Sequence, residues 1–221
     1  MDKLRLGRTD LRVGRSAFGA LPIQRIGMEE AVALLQQAFG GGMTFFDTAR
    51  GYTDSEEKIG RALAPVRREV VLATKTHARD RKTLFEHLEQ SLRLLRTDHV
   101  DLYQLHNPLA LPDPADPDGL YAALLEAKSR GLVRHIGLTN HRLALALDAA
   151  ASGLYDTIQF PLNLLSTPEE LALVDVCRRH DVGLIAMKAL SGGLVTRADA
   201  AFAFLRQYDN VLPIWGLQHP W

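Results

Sequence analysis

The sequence predicts an α/β chain whose strands form one parallel, closed sheet, and three observations predict it. Short apolar runs recur near residues 16–20, 43–47, 70–74, 100–105, 133–138, 157–160, 182–187 and 211–215. Amphipathic stretches of helical period lie between them. The runs are apolar on both faces, as parallel strands covered by helices must be. About eight βα units of roughly 25–30 residues fit a (β/α)8 TIM barrel, whose functional groups sit at the carboxyl ends of the strands. A doubly wound open sheet would carry a glycine fingerprint after its first strand. Gly19-Ala20-Leu21-Pro22 stands there instead.

Taken in order, residues 3–13 read as a small hairpin turning at Gly7 to Asp10, a lid on the barrel floor. A helix starts near Met28, and Gly40-Gly41-Gly42 stops it and turns the chain into the second strand. Thr53 followed by Glu56 has the spacing of a capping box opening a helix at 54. Leu84, Leu88, Leu92 and Leu95 form a helical stripe, and so do Ala201, Phe202, Leu205 and Tyr208. Residues 107–119 hold four prolines and three aspartates and predict a loop over the site, either a passive connection or a substrate-facing one. Only residues 216–221 follow the eighth strand. The expectation is one barrel domain over 1–221, cut short at its C-terminal end and lacking the last outer helix.

Composition narrows the function. Lys plus Arg and Asp plus Glu are both 26, and no basic run interleaves with aromatics, so a nucleic-acid partner is not expected. The N-terminus has no apolar signal core, and no run approaches the roughly 20 residues of a membrane span. A cytoplasmic protein with no membrane partner is expected. Cys177 is the only cysteine, which leaves no Cys-based metal site, and its spacing from Leu171 and Val174 makes it a small apolar residue of a buried helix face.

Three strand ends carry the chemistry. The second delivers Asp47 and, five residues on, Tyr52; the third delivers Lys75; the fourth delivers His106. Neighbouring strands lie about 4.8 Å apart, so these side chains can converge. A phenol is a weak acid at neutral pH. A nearby ammonium is expected to lower its pKa and make Tyr52 a better proton donor. Asp47 supplies the counter-charge a buried Lys75 needs, and His106 orients a carbonyl by hydrogen bonding. Such a group protonates an alkoxide as it forms. No side chain delivers a hydride, so a nicotinamide cofactor is implied. Taken singly, each residue also has a structural reading: an ion pair, a core histidine, a loop aromatic.

The chain resembles the aldo-keto reductases. Leu6-Gly7-Arg8-Thr9, Phe46-Asp47-Thr48-Ala49 with Gly51-Tyr52, the Lys75 strand, Asp101-Leu102-Tyr103-Gln104 with His106, and Ile136-Gly137-Leu138-Thr139-Asn140 match in order. The resemblance implies a (β/α)8 barrel, reduction of aldehydes or ketones with NADPH or NADH, no metal, and a catalytic set of Asp47, Tyr52, Lys75 and His106. It also implies cofactor contacts from Thr48, Thr139, Asn140, Gln159 and Met187, and from the backbone of Ser191, Gly192, Gly193 and Leu194, whose N–H groups can cradle a pyrophosphate. Met187 stands where the family often places a stacking aromatic. The family's basic adenosine-phosphate motif follows the eighth strand, where this chain offers Trp215-Gly216-Leu217-Gln218. The chain is similar to a bacterial subgroup that often adds a ferredoxin-like extension. It has none of those cysteines, so no iron–sulfur cluster is assigned.

Three other readings use the same residues. A metal-dependent hydrolase would use His77, His106 and His141, but no His-x-His or His-Glu-x-x-His spacing occurs. A Schiff-base lyase would use Lys75 or Lys188 as nucleophile. A non-catalytic barrel would bind a nicotinamide nucleotide as sensor or scaffold.

Overall fold

A computed structural model describes residues 3–219. The chain opens with strands β1 (Lys3–Arg5) and β2 (Arg12–Gly14), paired antiparallel with Leu4 opposite Val13. Eight strands follow: β3 (Ala17–Gly19), β4 (Phe45–Asp47), β5 (Val71–Thr76), β6 (Val100–His106), β7 (Val133–Thr139), β8 (Thr157–Pro161), β9 (Gly183–Met187) and β10 (Val211–Gly216). All pair in parallel, and β10 closes on β3 to complete the barrel. The helices between them are α1 (Met28–Gly40), α2 (Ser55–Leu63), α3 (Arg81–Leu95), α4 (Leu120–Ser129), α5 (Leu143–Ala151), α6 (Pro168–Arg179) and α7 (Ala198–Arg206). Among the described residues no helix follows β10, and none is long and apolar enough to cross a membrane.

Two buried layers explain why the strands are apolar on both faces. Phe18, Phe46, Leu72, Tyr103 and Leu184 point outward and pack under the helices. Ala17, Phe45, Ala73, Leu102, Ile185 and Leu212 point into the barrel. The period of two then dictates what lies above each inward residue. Ala73 is followed inside by Lys75, and Leu102 by Gln104 and His106. The polar groups therefore rise from an apolar interior toward the carboxyl ends.

The β1–β2 hairpin closes the opposite end. Leu4, Leu6, Leu11 and Val13 are buried against that interior layer, which makes the hairpin a plug for the floor. Gly7 allows the approach: its φ is +56°, and a Cβ there would stand 2.1 Å from the Gly183 nitrogen. Arg8 N–H donates to the Asp181 carbonyl at 2.6 Å, tying the turn to the α6–β9 connection.

Two local expectations are corrected. Thr53 and Glu56 do not form a capping box. Asp54 precedes α2 without a side-chain cap, and Thr53 has a φ of 39°. The Glu56 carboxylate is buried and turned to Arg50 and to Thr74 instead. A capping box does occur where Thr167 and Glu170 open α6. In the last stripe, Ala201 and Leu205 are buried, but Phe202 is partly exposed and stacks on Trp215 at 6.0 Å. Tyr208 lies past the end of α7 and meets Phe204 edge to face.

Candidate active site

Asp47 ends β4, and the register places it beside Ala73 of β5. The next inward position of β5 is Lys75, and its ammonium donates to Asp47 Oδ2 and to the Thr48 carbonyl, both at 2.6 Å. Both side chains are buried. Two amides complete the shell: Gln104 Nε2 reaches Asp47 Oδ1 at 3.4 Å, and Gln159 Nε2 reaches Oδ2 at 3.3 Å. Gln104 Nε2 also donates to Gln159 Oε1 at 2.9 Å. Burial pushes the Asp47 carboxyl above its ordinary range, against the opposing pull of Lys75 and the two amides.

An ammonium has three protons to donate. With two directed to Asp47 and Thr48, the third is available to Tyr52. The Lys75 nitrogen sits 5.2 Å from the centre of the Tyr52 ring. The phenol nonetheless lies above its ordinary value, because burial outweighs the Lys75 charge that pulls it down. This reverses the direction expected from the sequence, since the ammonium is visible there and the depth of burial is not.

His106 ends β6 and meets Tyr52 edge to face at 5.8 Å. Burial drives its pKa down to about 3, with Lys75, His77 and His141 adding to the effect. It is therefore neutral at physiological pH. Its Nδ1 is buried without a hydrogen-bond partner. A bare lone pair tolerates that isolation better than an orphaned N–H, so the proton belongs on Nε2, which leaves that nitrogen a donor.

A cavity of about 560 Å3 opens at this end of the barrel, lined by Asp47, Tyr52, Lys75 and His106. Thr139, Gln159, Met187, Gly192 and Gly193 line it too. Thr48, Asn140, Ser191 and Leu194, also expected near a cofactor, are not among the residues that line it. The Thr48 hydroxyl is buried against Ser55 at 2.8 Å. The Asn140 amide donates to the Pro108 carbonyl and accepts from Arg142 N–H. Ser191 flanks the cavity with a φ of 49°, and Leu194 is largely exposed. No residue of 107–119 lines the cavity, and the loop is pinned at Pro108, whose carbonyl accepts from Asn140 and Arg142. A groove of about 920 Å3 between Ala64–Glu69 and residues 96–99 carries none of the four groups.

Several residues of the site were not singled out from the sequence as site residues: Gln104 beneath the cavity, and Arg25, Trp215 and Gln218 around it; His141, weighed only as a metal ligand, lines it too. The alternation Leu102, Gln104, His106 was the signal for Gln104. The others come from loops or strand ends with no periodic signal.

A closed parallel barrel thus gathers a carboxylate, an ammonium, a phenol and an imidazole around one cavity at its carboxyl end. A model of the aldo/keto reductase family matches residues 10–204. The chain belongs to the aldo/keto reductase family. Aldo-keto reductase YhdN of Bacillus subtilis is 31% identical over 208 residues, which cover 87% of this chain and 60% of that protein. Methylglyoxal reductase DkgB of Salmonella typhi is 30% identical over 204 residues, covering 90% and 75%. The chain thus spans 60% of the length of the Bacillus relative. In fold, it resembles an aldo/keto reductase from Klebsiella pneumoniae in complex with NADP and acetate, with a TM-score of 0.82 at 23% identity, covering 98% of this chain and 85% of that one.

Proposed function

We propose that this barrel reduces an aldehyde or ketone to an alcohol with NADPH or NADH, and that Tyr52 supplies the proton. The observation that carries the reading is the convergence of Tyr52, the Asp47–Lys75 pair and a neutral His106 on one cavity. The Salmonella relative is named a methylglyoxal reductase, and the Klebsiella neighbour holds NADP on the same fold.

The residues present fit a nicotinamide nucleotide. Among the described residues the one hydrogen bond of the Thr139 hydroxyl is a long one of 3.9 Å to Met187 Sδ, which leaves it able to pair with a carboxamide. Gln159 lies beside it on the cavity wall. Gly192 and Gly193 have positive φ and open space where a Cβ would stand. The N–H groups of Ser191, Gly193 and Leu194 are already given to the Lys188, Leu190 and Ser191 carbonyls, so the expected four-residue cradle is not preformed and Gly192 is the position open to a phosphate. Met187 offers a polarisable face in place of an aromatic ring. When bound, such a nucleotide supplies the hydride that adds to the carbonyl carbon.

The chain's own residues handle the oxygen. His106 Nε2–H donates to the carbonyl oxygen and fixes its direction. As the C=O π pair localises on that oxygen, it takes the Tyr52 proton, and the alcohol forms. Burial keeps the phenol protonated at neutral pH until an alkoxide, a far stronger base, arrives. Lys75 then carries the phenolate, and Asp47 holds Lys75 in place. The phenol recovers its proton from solvent through the open cavity.

Tyr52→Phe keeps the ring and removes the proton. Reduction of an aldehyde panel, followed by NADPH oxidation, is expected to fall by about 10²-fold or more. Nucleotide binding, read by fluorescence quenching, is expected to persist. Near-normal turnover in this variant would reject Tyr52 as the acid. Nucleotide binding by the wild type with no turnover of any carbonyl would favour a sensor or scaffold.

A further inference from the structure

No hydrogen bond to Nδ1 holds the His106 ring. Contact sets its plane instead. The His77 imidazole lies against it face to face, with ring centres 4.0 Å apart and planes 28° apart. The Tyr52 edge meets it from another side at 5.8 Å. His77 stands just past the end of β5, two residues beyond Lys75. Its own place depends on a gap. A Cβ on Gly51 would stand 2.8 Å from His77 Cε1 and 3.2 Å from its Nδ1. The glycine that precedes Tyr52 therefore leaves room for the ring that backs His106.

We propose that His77 is a positioning residue for carbonyl reduction: its ring backs the His106 imidazole, so that the His106 donor nitrogen faces the substrate oxygen beside Tyr52. The inference rests on the reductase reading, and His77 acts through His106 without touching substrate. Stacked neutral rings attract, and the stack also shields one face of His106 from water. The groups facing His106 are Lys75 and His77 from the end of β5, Tyr52 from the loop after β4, and His141 from the loop after β7. None of these is a carboxylate that would favour an imidazolium.

His77 is itself exposed, so truncating it leaves the core intact. The test compares His77→Ala with His77→Phe, which restores a flat ring without an imidazole. His77→Ala is expected to lower kcat/KM for an aldehyde by roughly tenfold or more, with the NADPH dissociation constant unchanged. His77→Phe is expected to recover most of that loss. An NMR titration of the His106 ring gives a readout independent of turnover. The wild-type ring stays neutral down to about pH 3. In His77→Ala it is expected to take up its proton at a higher pH, and in His77→Phe to stay low. Wild-type kcat/KM and an unmoved His106 titration in His77→Ala would overturn the proposal. Should Tyr52→Phe keep full turnover, the reductase reading fails instead. The NMR titration then still decides whether His77 backs His106.

Discussion

Lys75 and Asp47 are each too deeply buried to tolerate loss of the other, and this separates their structural role from their chemical one. Replacing one member of a buried pair leaves an uncompensated charge, at about 3–5 kcal/mol. Lys75→Met is expected to destabilise by that order, because Asp47 would keep only its two amide donors, at 3.3 and 3.4 Å. The double variant Asp47→Asn/Lys75→Met removes both charges and is expected to recover most of the stability while turnover stays lost. Urea unfolding measures the first quantity and NADPH oxidation the second. If the double variant were as unstable as Lys75→Met, the cost would lie in the lost lysine packing. If turnover returned with stability, the ammonium would have no part in tuning Tyr52.

At the scale of elements, the β4–α2 segment that carries Tyr52 is held from three sides. Arg50 N–H donates to the Lys75 carbonyl at 2.9 Å. Ser55 bridges Thr48 and the Ala20 carbonyl. The buried Glu56 carboxylate joins Arg50 to Thr74, the neighbour of Lys75. Glu56→Ala cuts the last tie and strands a guanidinium whose side chain is only 16% exposed. The expected loss is roughly 3 kcal/mol, with a fall in kcat larger than the change in NADPH affinity, because Tyr52 loses its anchor. Unchanged kcat in a folded Glu56→Ala protein would show that Ser55 and the Arg50 backbone suffice. This segment also shows what the sequence could and could not reveal. Asp47, Lys75 and His106 were legible because each ends an apolar run at a period of two. The Thr53 to Glu56 spacing looked like a cap because the partners that take Glu56 lie 6 and 18 residues away, beyond any local pattern. The partners that Thr48 and Asn140 take, Ser55 and Pro108, are likewise visible only once the chain is folded. The His77 stack depends on the hole left by Gly51, which has no signature in residue type alone.

For the whole molecule, the site's polarity imposes a pH dependence on folding. An unfolded chain protonates its histidines near pH 6.5. Folded, His106 remains neutral down to about pH 3 because burial, then Lys75, His77 and His141, oppose the charge. Between those two values the unfolded state binds the extra proton, so stability falls as the pH falls, by up to about 1.4 kcal/mol per pH unit from this residue. His77 and His141 are also held below their ordinary value, each chiefly by burial, and act with the same sign in the upper part of that window. Asp47 acts with the opposite sign, since its raised carboxyl takes a proton in the folded state before the unfolded one, so it offsets part of the loss at the acid end. The cleanest window therefore runs from about pH 7 to about pH 5. His106→Gln removes the titrating group from both states, and urea unfolding across that window is expected to show a slope shallower by about one proton than the wild type. Parallel slopes would mean that His106 protonates in the folded barrel at its ordinary pKa, and a neutral imidazole donor at the carbonyl would have to be abandoned with it.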